Sequence, residues 1–83
     1  MKVKLMFFSV LREIAGSDEL EWEIEGREEV TVGELLELLY AKWPRLRDWD
    51  EKLLIAVDMA YASKGDAVGD GQEVAVMPPV QGG

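Results

Sequence analysis

Residues 31–44 constrain the fold most. Thr31-Val32-Gly33-Glu34 has the form of a capping box, in which the threonine hydroxyl takes a backbone donor of the first helical turn and the glutamate reaches back to the threonine amide. Apolar side chains then recur at Val32, Leu35, Leu36, Leu39, Tyr40 and Trp43, a three-four spacing that makes one stripe along a helix. Pro44 ends the helix at or near Trp43, because the residue before a proline is pushed out of helical geometry. The stripe reads as a core face, so the chain has one main helix that needs a sheet to cover.

The other apolar runs supply that sheet. Residues 3–8 are almost continuously apolar, which fits a central strand covered on at least part of both faces. Ser9 can cap a short helical turn over residues 10–15, with Gly16 to stop it. Residues 20–25 alternate strictly, apolar side chains in and glutamates out, as a half-exposed strand does. Residues 45–51 form a charged connection with Leu46 and Trp49 tucked inward, and Asp48, Asp50 and Glu51 match no calcium loop. Residues 52–57 read as a strand, 58–61 as a turn entering a short edge strand, and 73–77 as the last strand. Residues 64–66 and 69–72 are turn clusters. Gly69 and Gly71 make no phosphate loop, because no lysine-serine pair or helix follows. This order gives an α+β roll, with the first and last apolar runs as the natural parallel central pair.

Composition removes several chemistries. The 83 residues allow one small domain, and 48% hydrophobic residues can build its core. With no Cys and no His, thiol nucleophiles, the usual zinc sites and imidazole catalysis are excluded, and no resident metal is expected. A net charge of −8 argues against nucleic acid and suits a partner with a basic face. No run approaches the roughly 20 apolar residues that span a bilayer. Arg12 and Glu13 break the signal-like start, so no membrane association and a cytoplasmic location are expected.

After the last strand comes Pro78-Pro79-Val80-Gln81-Gly82-Gly83. Prolines cannot continue a sheet ladder, and Val80 and Gln81 offer little to a core. The expected organisation is a domain of residues 1–77 and an extended tail of residues 78–83, reaching roughly 20 Å. Pro78 and Pro79 stiffen its root. Gly82 and Gly83, lacking Cβ atoms, suit a narrow channel and leave the final carbonyl open to attack. The α-carboxyl of Gly83 is therefore the expected reactive group. It ionises at about pH 3.5 and is inert until activated.

Three segments together resemble a known family: Phe7-Phe8-x-x-Leu11-Arg12-Glu13, Leu53-Leu54-x-Ala56-Val57, and the stretch from Asp70-Gly71-Gln72-Glu73-Val74-Ala75 through Pro78-Pro79-Val80-x-Gly82-Gly83. They resemble the small subunit of molybdopterin synthase, the MoaD-type sulfur carriers of the ubiquitin-like β-grasp superfamily. The resemblance implies a β-grasp roll, a mixed sheet crossed by one main helix. It implies no bound cofactor and no catalysis by the chain alone. A ubiquitin-activating-type adenylating enzyme would use ATP to adenylate Gly83, and a persulfide would convert it to a thiocarboxylate. The charged tail, Pro78 to Gly83, would then enter the large subunit of a heterotetramer and donate sulfur to a pyranopterin precursor, forming the molybdopterin dithiolene. Arg12, Tyr61 and Met77 fall at positions that, by resemblance, dock the large subunit. Two departures stand out: Asp58 replaces the usual asparagine, and Val76-Met77 replaces a commonly aromatic pair. Alternative uses of the same tail are sulfur transfer for thiazole or tRNA thiolation and ubiquitin-like attachment to lysines. A binding module that works through its β surface is a third alternative, in which the tail is dispensable.

Overall fold

The computed structural model of the chain describes residues 1–79. The elements run β1 (Lys2–Phe7), α1 (Val10–Ala15), β2 (Glu19–Glu23), β3 (Glu29–Thr31), α2 (Val32–Lys42), a 3-10 helix (Pro44–Lys52), β4 (Leu54–Val57), β5 (Ala60–Ala62), β6 (Ala67–Gly69) and β7 (Glu73–Met77). Five strands form one mixed sheet in the order β2-β1-β7-β4-β5, and β3 pairs with β6 in a small second sheet. The first and last apolar runs are parallel neighbours as expected, with Leu5 opposite Val74 and Phe7 opposite Val76. No helix among the described residues is long and apolar enough to cross a membrane.

The capping box forms as its spacing requires. The Glu34 amide donates to Thr31 Oγ1 at 3.1 Å, and the Thr31 amide donates to Glu34 Oε1 at 2.9 Å. The α2 stripe buries Val32, Leu35, Leu36, Leu39 and Tyr40 against Val3, Leu5 and Phe7 of β1 and Val74 and Val76 of β7. Trp43 closes the helix at its C-terminal end and meets the Phe7 ring edge-on, 5.4 Å between centroids. Leu46 is buried and Trp49 half-buried, so the charged connection holds inward anchors as read. It is a 3-10 helix, however, tied down by Asp50, which accepts from the Tyr40 hydroxyl and from Lys64 Nζ. Burial, and then Asp50, pushes the Tyr40 hydroxyl well above its ordinary value.

Two readings are corrected. Ser9 makes no side-chain cap; its backbone sits at φ 56°, ψ −133°, and its carbonyl, not its hydroxyl, accepts the Arg12 amide at 3.1 Å. Gly16 does close α1, in the left-handed region. Nor is β1 covered on both faces. Val3, Leu5 and Phe7 enter the core, while the alternate positions Lys2, Lys4 and Met6 stay on the other face, which no helix among the described residues covers.

Candidate functional site

The open face of the sheet carries the site. One cross-strand row runs Glu19, Met6, Ala75, Ala56, Tyr61, each opposite the next on adjacent strands. Two small side chains therefore sit between two large ones. Met77, opposite Leu54, lies one pleat further toward the C-terminal end of β7. The result is a cleft of about 450 Å³ lined by Met6, Phe8, Ala56, Met59, Tyr61, Glu73, Ala75 and Met77. Phe8 is 43% exposed, Tyr61 75% and Met59 97%, too much adjacent apolar surface to be ordinary scatter.

Local sequence explains how the cleft is held. Asp58 and Met59 form the two-residue turn between β4 and β5, both at positive φ (49° and 70°). Asparagine and aspartate tolerate that region, and Asp58 adds a clamp. Its Oδ1 accepts the Glu73 amide and its Oδ2 accepts Gln72 Nε2, both at 2.9 Å, which fixes the start of β7 against the hairpin. Those bonds hold the Asp58 carboxyl below the usual carboxylate range, the Glu73 amide contributing most. Met59 has no such compensation. A methionine in the left-handed region with its side chain in water is costly on both counts.

Of the expected docking residues, Tyr61 and Met77 line this cleft together. Arg12 does not; it is exposed on α1 and lines an adjoining notch of about 190 Å³, which shares Met6 and Phe8 with the cleft. Pro78 and Pro79 are half-buried and follow β7 outside any regular element. Val80, Gln81, Gly82 and Gly83 lie outside the described residues. Reading the sequence missed Met6, Phe8, Ala56, Met59, Glu73 and Ala75. The parity of β1 could have found two of them, since Lys2 and Lys4 mark the even positions as solvent-facing and so place Met6 and Phe8 beside them.

Residues 5–83 match the ThiS family. The chain belongs to the ThiS family. Among its relatives, the molybdopterin synthase sulfur carrier subunit of Mycobacterium tuberculosis is 37% identical over 83 residues, covering 100% of this chain and 99% of that protein. The subunit of the same name from Escherichia coli is 32% identical over 81 residues, covering 98% and 99%. The crystal structure of small archaeal modifier protein 1 from Haloferax volcanii superposes with a TM-score of 0.80 at 30% identity, covering 100% of both chains. The resemblance read from the motifs is borne out, and so is the β-grasp roll. Within the ThiS family, then, this chain presents an exposed apolar cleft that ends at Met77, the residue before Pro78.

Proposed function

We propose that this chain is the sulfur carrier of a molybdopterin synthase, acting in the cytoplasm in molybdenum cofactor biosynthesis. The observation that carries the reading is the continuity of cleft and tail: Met77 lines the apolar cleft, and the next residue, Pro78, begins the diglycine segment. Relatives bearing the sulfur carrier name match along nearly their whole length. The body is a handle that a large subunit grips through the open sheet face while the tail enters its active site. Two carriers on a large-subunit dimer make the complete heterotetramer.

The chemistry resides on Gly83. An adenylating enzyme transfers AMP from ATP to its carboxylate, releasing pyrophosphate, and so turns a poor acyl donor into an activated one. A persulfide sulfur displaces AMP, and cleavage of the sulfur-sulfur bond by a thiol leaves the thiocarboxylate. The thiocarboxylate sulfur attacks the pyranopterin precursor to form a carbon-sulfur bond. Water then cleaves the acyl carbon-sulfur bond, returning the Gly83 carboxylate and leaving the sulfur on the precursor. A second charged chain supplies the other dithiolene sulfur. The chain needs no resident cofactor, and without cysteine its sulfur rides on the acyl carbon.

The test is the intact mass of the chain after incubation with the adenylating enzyme, ATP and a persulfide donor, followed by addition of large subunit and precursor. One oxygen-to-sulfur exchange on Gly83 and a dithiolene product are expected, and removal of Gly83 should abolish both. Thiocarboxylate formation without dithiolene would move the chain to another thiolation pathway. The structural likeness to an archaeal modifier protein favours a second reading, attachment to lysines. Ladders of higher-mass conjugates in the native cell are its signature.

A further inference from the structure

Of the four methionines, Met6, Met59 and Met77 border the cleft, and Met1 packs against the core. Met59 is set apart by its position. It takes the second place of the turn between β4 and β5 at φ 70°, and its side chain is 97% exposed. It belongs neither to the core cluster nor to the side chains packed against that cluster. Glycine would relieve the strain at this place, and leucine would serve equally as an apolar wall. What methionine alone brings is a thioether, a sulfur that stays apolar until it meets an oxidant. With no cysteine in the chain, the thioethers are its only sulfur side chains.

We propose that Met59 is a reversible oxidation site, at which hydrogen peroxide withdraws the folded carrier from its large subunit. The inference rests on the carrier reading and adds a modification that regulates it. The surface at the turn is anionic, with Asp58 in it and Glu73 bonded beside it, which favours a neutral peroxide over an anionic oxidant. A lone pair on Met59 Sδ attacks one peroxide oxygen, so that a sulfur-oxygen bond forms as the oxygen-oxygen bond breaks. The released hydroxide takes the remaining proton and leaves as water. The sulfur is oxidised by two electrons and the peroxide is reduced by two. A methionine sulfoxide reductase reverses the change: two thiols give up two electrons and close a disulfide, and the oxygen departs as water.

The sulfoxide is silent in the free chain and felt in the complex. On so exposed a side chain the new dipole stays hydrated and touches no core residue, so the fold keeps its stability. Against an apolar partner surface it must shed that water, and a polar group covered without a hydrogen-bond partner weakens the contact by about tenfold or more. The converse also holds, because a partner that covers the turn shields the sulfur from peroxide. Met6 and Met77, both half-buried, react after Met59.

The test treats the full chain, its tail a plain carboxylate, with hydrogen peroxide until about one oxygen is taken up per chain. Peptide mapping locates the oxygen, because one added oxygen and one oxygen-to-sulfur exchange on Gly83 change the intact mass almost equally. Met59 should oxidise several-fold faster than Met1, Met6 and Met77, and more slowly when a molybdopterin synthase large subunit is bound. The chain oxidised at Met59 should unfold at the temperature of the untreated chain yet bind the large subunit about tenfold more weakly by calorimetry. Sulfoxide reductase with a dithiol should restore the affinity. Met59→Leu, whatever its own affinity, should lose none of it on the same treatment. Met59→Gln, polar and of similar length, should bind as weakly as the oxidised chain. Equal reactivity of the four methionines, or full-strength binding by the chain carrying the Met59 sulfoxide, overturns the switch and leaves the carrier reading intact. So does a peroxide-induced loss of binding that persists in Met59→Leu. Failure of the untreated chain to bind the large subunit overturns the carrier reading and the switch with it.

Discussion

Asp58 and Met59 show how single residues trade stability against use. Aspartate offers two acceptors to Glu73 and Gln72, whereas asparagine offers one acceptor and one amide donor. Gln72 cannot simply turn round to suit, because its own Oε1 already accepts the Gly69 amide at 2.7 Å. The Asp58 carboxyl is held below its ordinary value in the folded chain, so its contribution is complete above the unfolded value, about pH 4, and drains away as pH falls through and below it. Asp58→Asn should therefore unfold at a lower temperature than the unsubstituted chain at neutral pH, and the two should converge as pH falls below the usual carboxylate range. A gap that stays constant in thermal scans across that range would sink the assignment. Met59→Gly should do the opposite to stability. Relief of the left-handed strain, less the entropy that glycine loses on folding, leaves a gain of about 0.5 to 1 kcal/mol in urea unfolding. The same variant should bind the large subunit more weakly, because it removes the most exposed wall of the cleft. A loss in both measurements would mean that Met59 supports the fold.

At the scale of elements, legibility followed periodicity. The capping box and stripe of α2 were readable because a local side-chain-to-backbone exchange and a 3.6-residue repeat need no tertiary information. Thr31→Ala should cost about 1 kcal/mol in denaturant unfolding while Thr31→Ser costs little, since only the hydroxyl oxygen caps Glu34. The paired strands β3 and β6 were not legible. Each has three residues and one buried side chain, Val30 or Val68, too short to show any period. The 3-10 helix was read as a connection for a related reason: its three-residue turn leaves no helical stripe, and Tyr40 and Lys64 hold it from outside through its Asp50. β1 misled more instructively. Met6 and Phe8 are apolar because a partner covers that face, in the proposed reading, and sequence alone does not distinguish that from a core. Ser9, at a backbone conformation that glycine prefers, looked like a cap only because its residue type is a capping one.

For the molecule as a whole, charge and contact are spatially divided. Seventeen acidic residues against nine basic ones give a long-range field, whereas the cleft itself is apolar apart from Glu73. The exposed ion pairs, such as Arg47 with Glu37 at 2.8 Å and Arg27 with Glu34 at 3.3 Å, contribute little to holding the fold. The surplus of carboxylates instead suits encounter with a basic partner surface. A field of this kind lowers the barrier to approach and is screened within a Debye length, about 10 Å at 0.1 M salt and about 3 Å at 1 M. The short-range apolar contact that follows is almost insensitive to salt. Stopped-flow association with the large subunit should therefore slow by an order of magnitude or more between about 0.05 and 0.5 M salt, while the dissociation rate changes less than about twofold. An affinity loss carried instead by faster dissociation would place buried ion pairs at the centre of the interface. It would also remove the argument that apolar contact at the cleft lined by Met6, Phe8, Tyr61 and Met77 holds the complex together.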